Sequence, residues 1–175
     1  MAENLKIIVA LGNPGSKYQK TRHNAGWLWL DHHFPALDYQ YDKYGDYEWD
    51  RVELNNYDLV LIKPQTFMNN SGAAVAYAMR KFGMTEPDVV VVHDEVDLQI
   101  GTFKYSCNRG DGGHNGLRSI NKHLGNKSYC RLRLGVRPVE VTPATKADSY
   151  VLAKFREGEL NKLFDISQNE LLINS

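Results

Sequence analysis

The 175-residue sequence holds only two cysteines, Cys107 and Cys130. Two are too few for a disulfide framework, and their spacing is not that of a zinc site. No apolar run approaches the roughly 20 residues that a membrane span needs. The opening MAENLKIIVALG lacks the basic start of a secretion signal, and its apolar part is short for one. The cytosol is therefore the expected compartment. No G-x-S-x-G marks a nucleophile elbow, and no Lys-Ser/Thr follows LGNPG as a phosphate loop requires. No repeat, low-complexity tract or linker divides the chain. What remains is ordinary globular composition, 42% hydrophobic and 24% charged, in a length that favours one domain with its own core.

Net charge is also missing: 21 basic residues balance 21 acidic ones. The balance hides an uneven distribution. From Gly101 to Arg137 eight Lys/Arg face one acid, Asp111, whereas from Asp31 to Asp58 eight acids face Lys43 and Arg51. A neutral protein can still present a cationic face, and the face sets the electrostatic partner. Simple mutual offset of acidic and basic surfaces is the competing explanation.

LKIIVALG reads as a short buried strand ended by the turn NPG, and WLWLDHHF suits a short helix. YEWDRVEL, then NN, then YDLVLIKP reads as a hairpin feeding a buried strand that stops at Pro64. Ser71 is placed to cap a helix through GAAVAYAMRKF, which Gly83 ends. DVVVVH is a further buried strand, and GTFKYS alternates like an exposed one. Asn115 is placed to cap GLRSINKHL, closed by Gly125. CRLRLGV alternates as a strand, with Arg131 and Arg133 on one side, and EGELNKLFDI forms a terminal helix. Near-continuous apolar strands alternating with helices predict an α/β layer around a mainly parallel sheet.

In such sheets ligands bind beyond the carboxyl ends of the strands. The first strand delivers Asn13 and, a few residues on, His23. The LVLIKP strand delivers Met68 and Asn69, VVVVH delivers Asp94, and GDGGHNG brings His114 and Asn115 to a helix start. Asp94 is either a loop acid just past its strand or a carboxylate that fixes a histidine tautomer, with His23 the best partner. His93 is expected to close the strand itself. Metal binding by Asp94, Glu95 and Asp97 lacks a second ligand cluster of recognisable spacing. RGDGGHNG is a flexible loop or an anion cradle. Lys104 and Arg133, taken alone, are solvated charges.

LGNPGSKYQKTRHNAGW, KPQTFMNNSG, VVVVHDEVDL and GDGGHNGLRSI together resemble the bacterial-type peptidyl-tRNA hydrolase family, in order, from residue 5 to about 155. The resemblance implies a three-layer α/β/α sandwich with a mixed, mostly parallel central sheet. It implies hydrolysis of the ester joining peptide to tRNA, which recycles tRNA from prematurely released peptidyl-tRNAs. No metal or other cofactor is implied. His23 would be the general base and Asp94 its orienting partner. Asn13, Met68, Asn69 and Asn115 would bind the peptide side, Tyr18 would line the approach, and His114 would sit at the rim. Lys104 and Arg133 would meet the tRNA 5′-phosphate, with Ser106 where the family often has a second lysine and Arg109 nearby. The partner would be the acceptor stem and 3′ end of peptidyl-tRNA, bound by a monomer away from membranes. Residues 1–175 would form one such domain with a shortened C-terminal end.

Overall fold

A computed structural model describes residues 4–172. Met1–Glu3, the beginning of the stretch read for a secretion signal, lie outside the described residues. Among the described residues, seven strands form a single sheet: β1 Leu5–Ala10, β2 Gln40–Asp42, β3 Tyr47–Leu54, β4 Tyr57–Pro64, β5 Val89–Gln99, β6 Phe103–Cys107 and β7 Cys130–Arg137. Their order is β2-β3-β4-β1-β5-β7-β6. The four central strands, β4, β1, β5 and β7, run parallel, and antiparallel strands flank them on both sides. The sheet is thus mixed with a parallel centre, as predicted.

The central strands are apolar on both faces because helices cover both. Ile8, Ala10, Val90 and Val92 point to the side of α1 (Ala25–His33) and α4 (Glu157–Phe164), where Trp29, Leu30 and Leu163 meet them. Ile7, Val9, Val89 and Val91 point to the side of α2 (Ser71–Phe82) and α3 (Asn115–Leu124), against Ala74, Val75, Leu117 and Ile120. Each fully buried aliphatic side chain contributes about 1.5–3 kcal/mol, so the valine run of β5 anchors both layers. Among the described residues no helix is long and apolar enough to cross a membrane.

The hairpin turn falls on Asn55 and Asn56, both at positive φ (50° and 67°), the two left-handed positions of a two-residue turn. Gly83 and Gly125 end α2 and α3 in the left-handed conformation, as predicted.

Several local expectations are corrected. Ser71 does not cap α2: it is the first helical residue, and its hydroxyl donates back to the Met68 carbonyl. Asn115 does not cap α3 either: the cap is the His114 ring. The valine strand does not end at His93 but continues through Asp94 to Gln99, with a bulge after Glu95. His93 is therefore interior, paired in register with Arg133. Cys107 and Cys130, from which no disulfide framework was expected, are direct cross-strand neighbours joined by a single disulfide between β6 and β7. Their pairing is a product of register, which spacing along the chain does not reveal.

Candidate active site

β4 and β5 flank β1, so the chain leaves the sheet in two directions at its centre. A crevice opens at such a switch point. A cavity of about 380 Å³ lies there.

His23 sits in a one-turn 3-10 segment, Arg22–Asn24, that leads into α1. The C-terminal segment holds this turn, since the Arg22 and His23 amides donate to the Ala153 and Val151 carbonyls. A buried ion pair between Arg22 and Glu159 at 2.8 Å adds to the grip. Close packing explains the glycine that follows: a Cβ on Gly26 would lie 2.5 Å from the Val92 carbonyl oxygen on β5. The turn therefore rests directly on the strand that carries Asp94.

Asp94 is 2% exposed within β5. A carboxylate so deeply buried is costly unless its oxygens are bonded. Both are: Oδ2 lies 2.9 Å from His23 Nδ1, and Oδ1 lies 2.8 Å from His114 Nε2. Burial alone would push the Asp94 carboxyl up, but the charges and N–H groups of His23 and His114 hold it well below the usual carboxylate range. An ionised carboxylate only accepts, so His23 Nδ1 carries a proton and donates, which leaves Nε2 as a lone pair. Burial pulls the His23 imidazole down, but the Asp94 charge and hydrogen bond outweigh it, and the net shift is upward. His93, wholly buried beside His114, is pushed down to about 3 and stays neutral.

Asn13 follows β1 and is 7% exposed. Asn24 grips its backbone from both sides: Oδ1 accepts from the Asn13 amide at 2.9 Å, and Nδ2 donates to the Asn13 carbonyl at 3.0 Å. The Met68 amide donates to Asn13 Oδ1 at 2.8 Å. Because an N–H must meet an acceptor, the side-chain orientation is fixed, and Nδ2 remains a donor in a residue that lines the cavity. Met68 is buried in the turn after β4, with Asn69 exposed beside it. Asn115 is exposed at the start of α3, and Tyr18 is half-buried at the mouth, edge-on to Phe67.

All eight residues expected around the ester and peptide therefore border one cavity. His114 is not at the rim as expected: it reaches to the centre and bonds Asp94. Lys104 and Arg133 do not line the cavity. They stand opposite each other on β6 and β7. Lys104 is exposed, whereas Arg133 is 8% exposed and donates to Glu95 Oε2 at 3.0 Å and Ser106 Oγ at 3.2 Å. Sequence reading missed Asn24, although it follows His23 directly, and the apolar walls Phe67, Val151 and Leu152. Leu152 lies in a loop about 130 residues from His23, with no motif to flag it.

The ligand-type atoms of His23, Asp94 and His114 lie within 4.8 Å of one another. Each imidazole faces its own carboxylate oxygen at hydrogen-bond distance. That is the arrangement of groups sharing protons. Chemically it supplies a base with a free nitrogen, an anion that stabilises its protonated form, and neutral amide donors nearby.

A family model for peptidyl-tRNA hydrolase matches residues 7–172. Peptidyl-tRNA hydrolase of Geobacter metallireducens is 43% identical over 164 residues, covering 89% of this chain and 79% of that protein. The Lactobacillus gasseri enzyme of the same name is 36% identical over 170 residues, covering 94% and 90%. The crystal structure of peptidyl-tRNA hydrolase from Acinetobacter baumannii superposes with a TM-score of 0.82 at 32% identity, over 91% of this chain and 81% of that one. With a matching model over nearly the whole sequence, and with close relatives in both sequence and structure, this chain belongs to the peptidyl-tRNA hydrolase family.

Proposed function

We propose that the protein hydrolyses the ester between peptide and tRNA in peptidyl-tRNA, returning tRNA from prematurely released peptidyl-tRNAs. The observation that carries this reading is the His23–Asp94 contact of 2.9 Å inside a cavity bordered by amide side chains. His23 Nε2 takes a proton from water, and the water attacks the ester carbonyl. Asp94 holds the imidazole in the productive tautomer and stabilises the imidazolium. Such a base contributes about 10²–10⁴-fold in rate. Asn13 Nδ2, with the amides of Asn69 and Asn115, donates to the carbonyl oxygen as negative charge develops on it. Met68 and Tyr18 shape the peptide and tRNA sides. The proton held on His23 then goes to the leaving ribose hydroxyl. The balance is one water consumed, one carboxylic acid and one hydroxyl formed, with no redox change and no cofactor.

The tRNA body is read as lying along the basic β6–β7 edge, where Lys104, Arg109, Arg118, Lys122 and Lys127 are exposed. Phosphate contacts of this kind are blind to sequence and suit an enzyme accepting many tRNAs. Lys104 and Arg133 are the proposed 5′-phosphate contacts. The working form is read as one cytosolic monomer of a single domain. Of the exposed large apolar side chains, Phe67 and Leu152 border the cavity, whereas Tyr41, Tyr44 and Val139 do not.

The test is release of N-blocked aminoacid from aminoacyl-tRNA, with and without a chelator. Equal turnover in both is expected. No turnover removes the activity, and loss only with chelator removes the cofactor-free mechanism. A small ester of the same blocked aminoacid, lacking the tRNA body, should be cleaved far less efficiently.

A further inference from the structure

Asp94 is held by two histidines that play unequal parts. His23 ends in the cavity with one nitrogen free. His114 has none: its Nδ1 lies 3.1 Å from the Gly116 amide and 3.4 Å from the Leu117 amide, while its Nε2 lies 2.8 Å from Asp94 Oδ1. The two amides belong to the first turn of α3, where backbone N–H groups have no helical partner. His114 thus occupies the helix-cap position, with an imidazole nitrogen in the role usually given to a hydroxyl or carboxamide oxygen.

A nitrogen facing two N–H donors must be the acceptor. The ring's proton is then on Nε2, the nitrogen aimed at Asp94. The helix start and the carboxylate thus demand the same tautomer.

The backbone that carries His114 is held on both sides. The His114 backbone amide donates to the Asp111 carbonyl at 3.0 Å, and the His114 backbone carbonyl accepts from the Arg118 amide at 2.9 Å. A Cβ on Gly116 would sit 2.6 Å from Met68 Sδ and 3.1 Å from His114 Cε1, so the helix start is wedged against the cavity wall.

We propose that His114 is a positioning residue for the reaction: capping α3 fixes its Nε2–H tautomer, and that proton pins the Asp94 carboxylate so that Oδ2 is presented to His23. This rests on His23 being the base. His114 touches neither water nor ester in this scheme; it acts through Asp94. It also tempers the base. A carboxylate shared between two donors pulls less strongly on His23 than one devoted to it, so less of the enzyme is idle as imidazolium near neutrality.

Other charged or titratable groups surround the cluster. His93 lies on β5, its ring 5.0 Å from His114. Glu95 follows on the same strand and Asp148 on the C-terminal loop, both bordering the cavity. Asp111 precedes the helix, paired loosely with Arg118 at 3.8 Å. Arg131 and Arg133 stand on the neighbouring β7. None of these replaces the two N–H groups that meet Asp94.

The first test leaves the protein intact. In ¹⁵N-histidine correlation spectra at neutral pH, His114 should show Nδ1 without a proton and Nε2 with one. A proton on His114 Nδ1 overturns the proposal. The second is His114→Asn, which keeps a good helix cap but removes the donor to Asp94. Its acid limb in kcat/KM should move upward by about half a pH unit or more, as Asp94 turns wholly to His23. A merely structural role would lower thermal stability and active fraction with the limb unmoved, and an unmoved limb overturns the proposal. The base assignment fails separately: a wild-type rate in His23→Ala removes it whatever the spectra show.

Discussion

His23 meets the cavity with one nitrogen and Asp94 with the other, so its two neighbours set its basicity. Replacing it with Ala should lower kcat by at least about 10²-fold, in line with the loss of a general base. KM for peptidyl-tRNA should barely change, which single-turnover and steady-state assays will separate. The pH profile carries the sign of the shift. The base works only when neutral, and its imidazole is raised above the usual value of about 6.5. Activity should therefore fall with acid on a limb lying above that value. In Asp94→Asn the raising partner is gone while burial remains. That variant should be slower, and its limb should lie below that of the parent. A limb that stays in place would break the pairing. At this scale much was legible: His23 and Asp94 stand 71 residues apart, yet each follows an apolar run, and the strand order brings both to one crevice. The part of His114 was not legible. Asn115 is the better helix cap by residue type, and only the tertiary position of α3 turns the neighbouring ring toward Asp94.

The helices and strands place those residues by backbone contact at glycines. A Cβ on Gly72, in the first turn of α2, would fall 2.2 Å from the Ser119 carbonyl oxygen on α3. Neither is a flexible side-chain end, so the two helices would have to separate. Gly72→Ala should cost about 1–3 kcal/mol of stability, as overpacking does, and a lowered denaturant midpoint will measure it. Asn115 and His114 ride on α3, so kcat should drop in the same variant. The elements themselves were largely readable. Unbroken apolar runs marked β1, β4 and β5, and Asn55–Asn56 marked the hairpin. The length of β5 was not, because a run of Asp94, Glu95 and Asp97 reads as a chain leaving the sheet. In the folded protein β7 pairs with it past the valines, to Gly135 opposite Glu95. The Cys107–Cys130 link was hidden for the same reason, since it depends on which strands become neighbours.

Across the whole molecule the two charge-biased segments end up at opposite edges of the sheet: the acidic one forms β2 and β3, the basic one β6, α3 and β7. The charge pattern was visible in the sequence; its separation into two edges required the strand order. Lys104→Ala should raise KM and flatten its dependence on salt, with kcat unchanged, because each phosphate contact contributes to the salt slope. An identical slope would take Lys104 out of the contact. Stability should follow Asp94. Its carboxyl is depressed in the folded state, so its contribution is fully present above the unfolded value of about 3.9 and is lost as pH falls through the lower folded value.

Glu95 borders the cavity and at the same time neutralises Arg133. A phosphate that draws Arg133 to itself takes away the only ion-pair partner Glu95 has among the described residues. The stripped carboxylate is then left on the cavity wall without its counter-ion. Docking at the far end of the substrate would in this way change the charge of the cavity wall through one exchanged counter-ion, and a short ester lacking a phosphate would leave that exchange unmade.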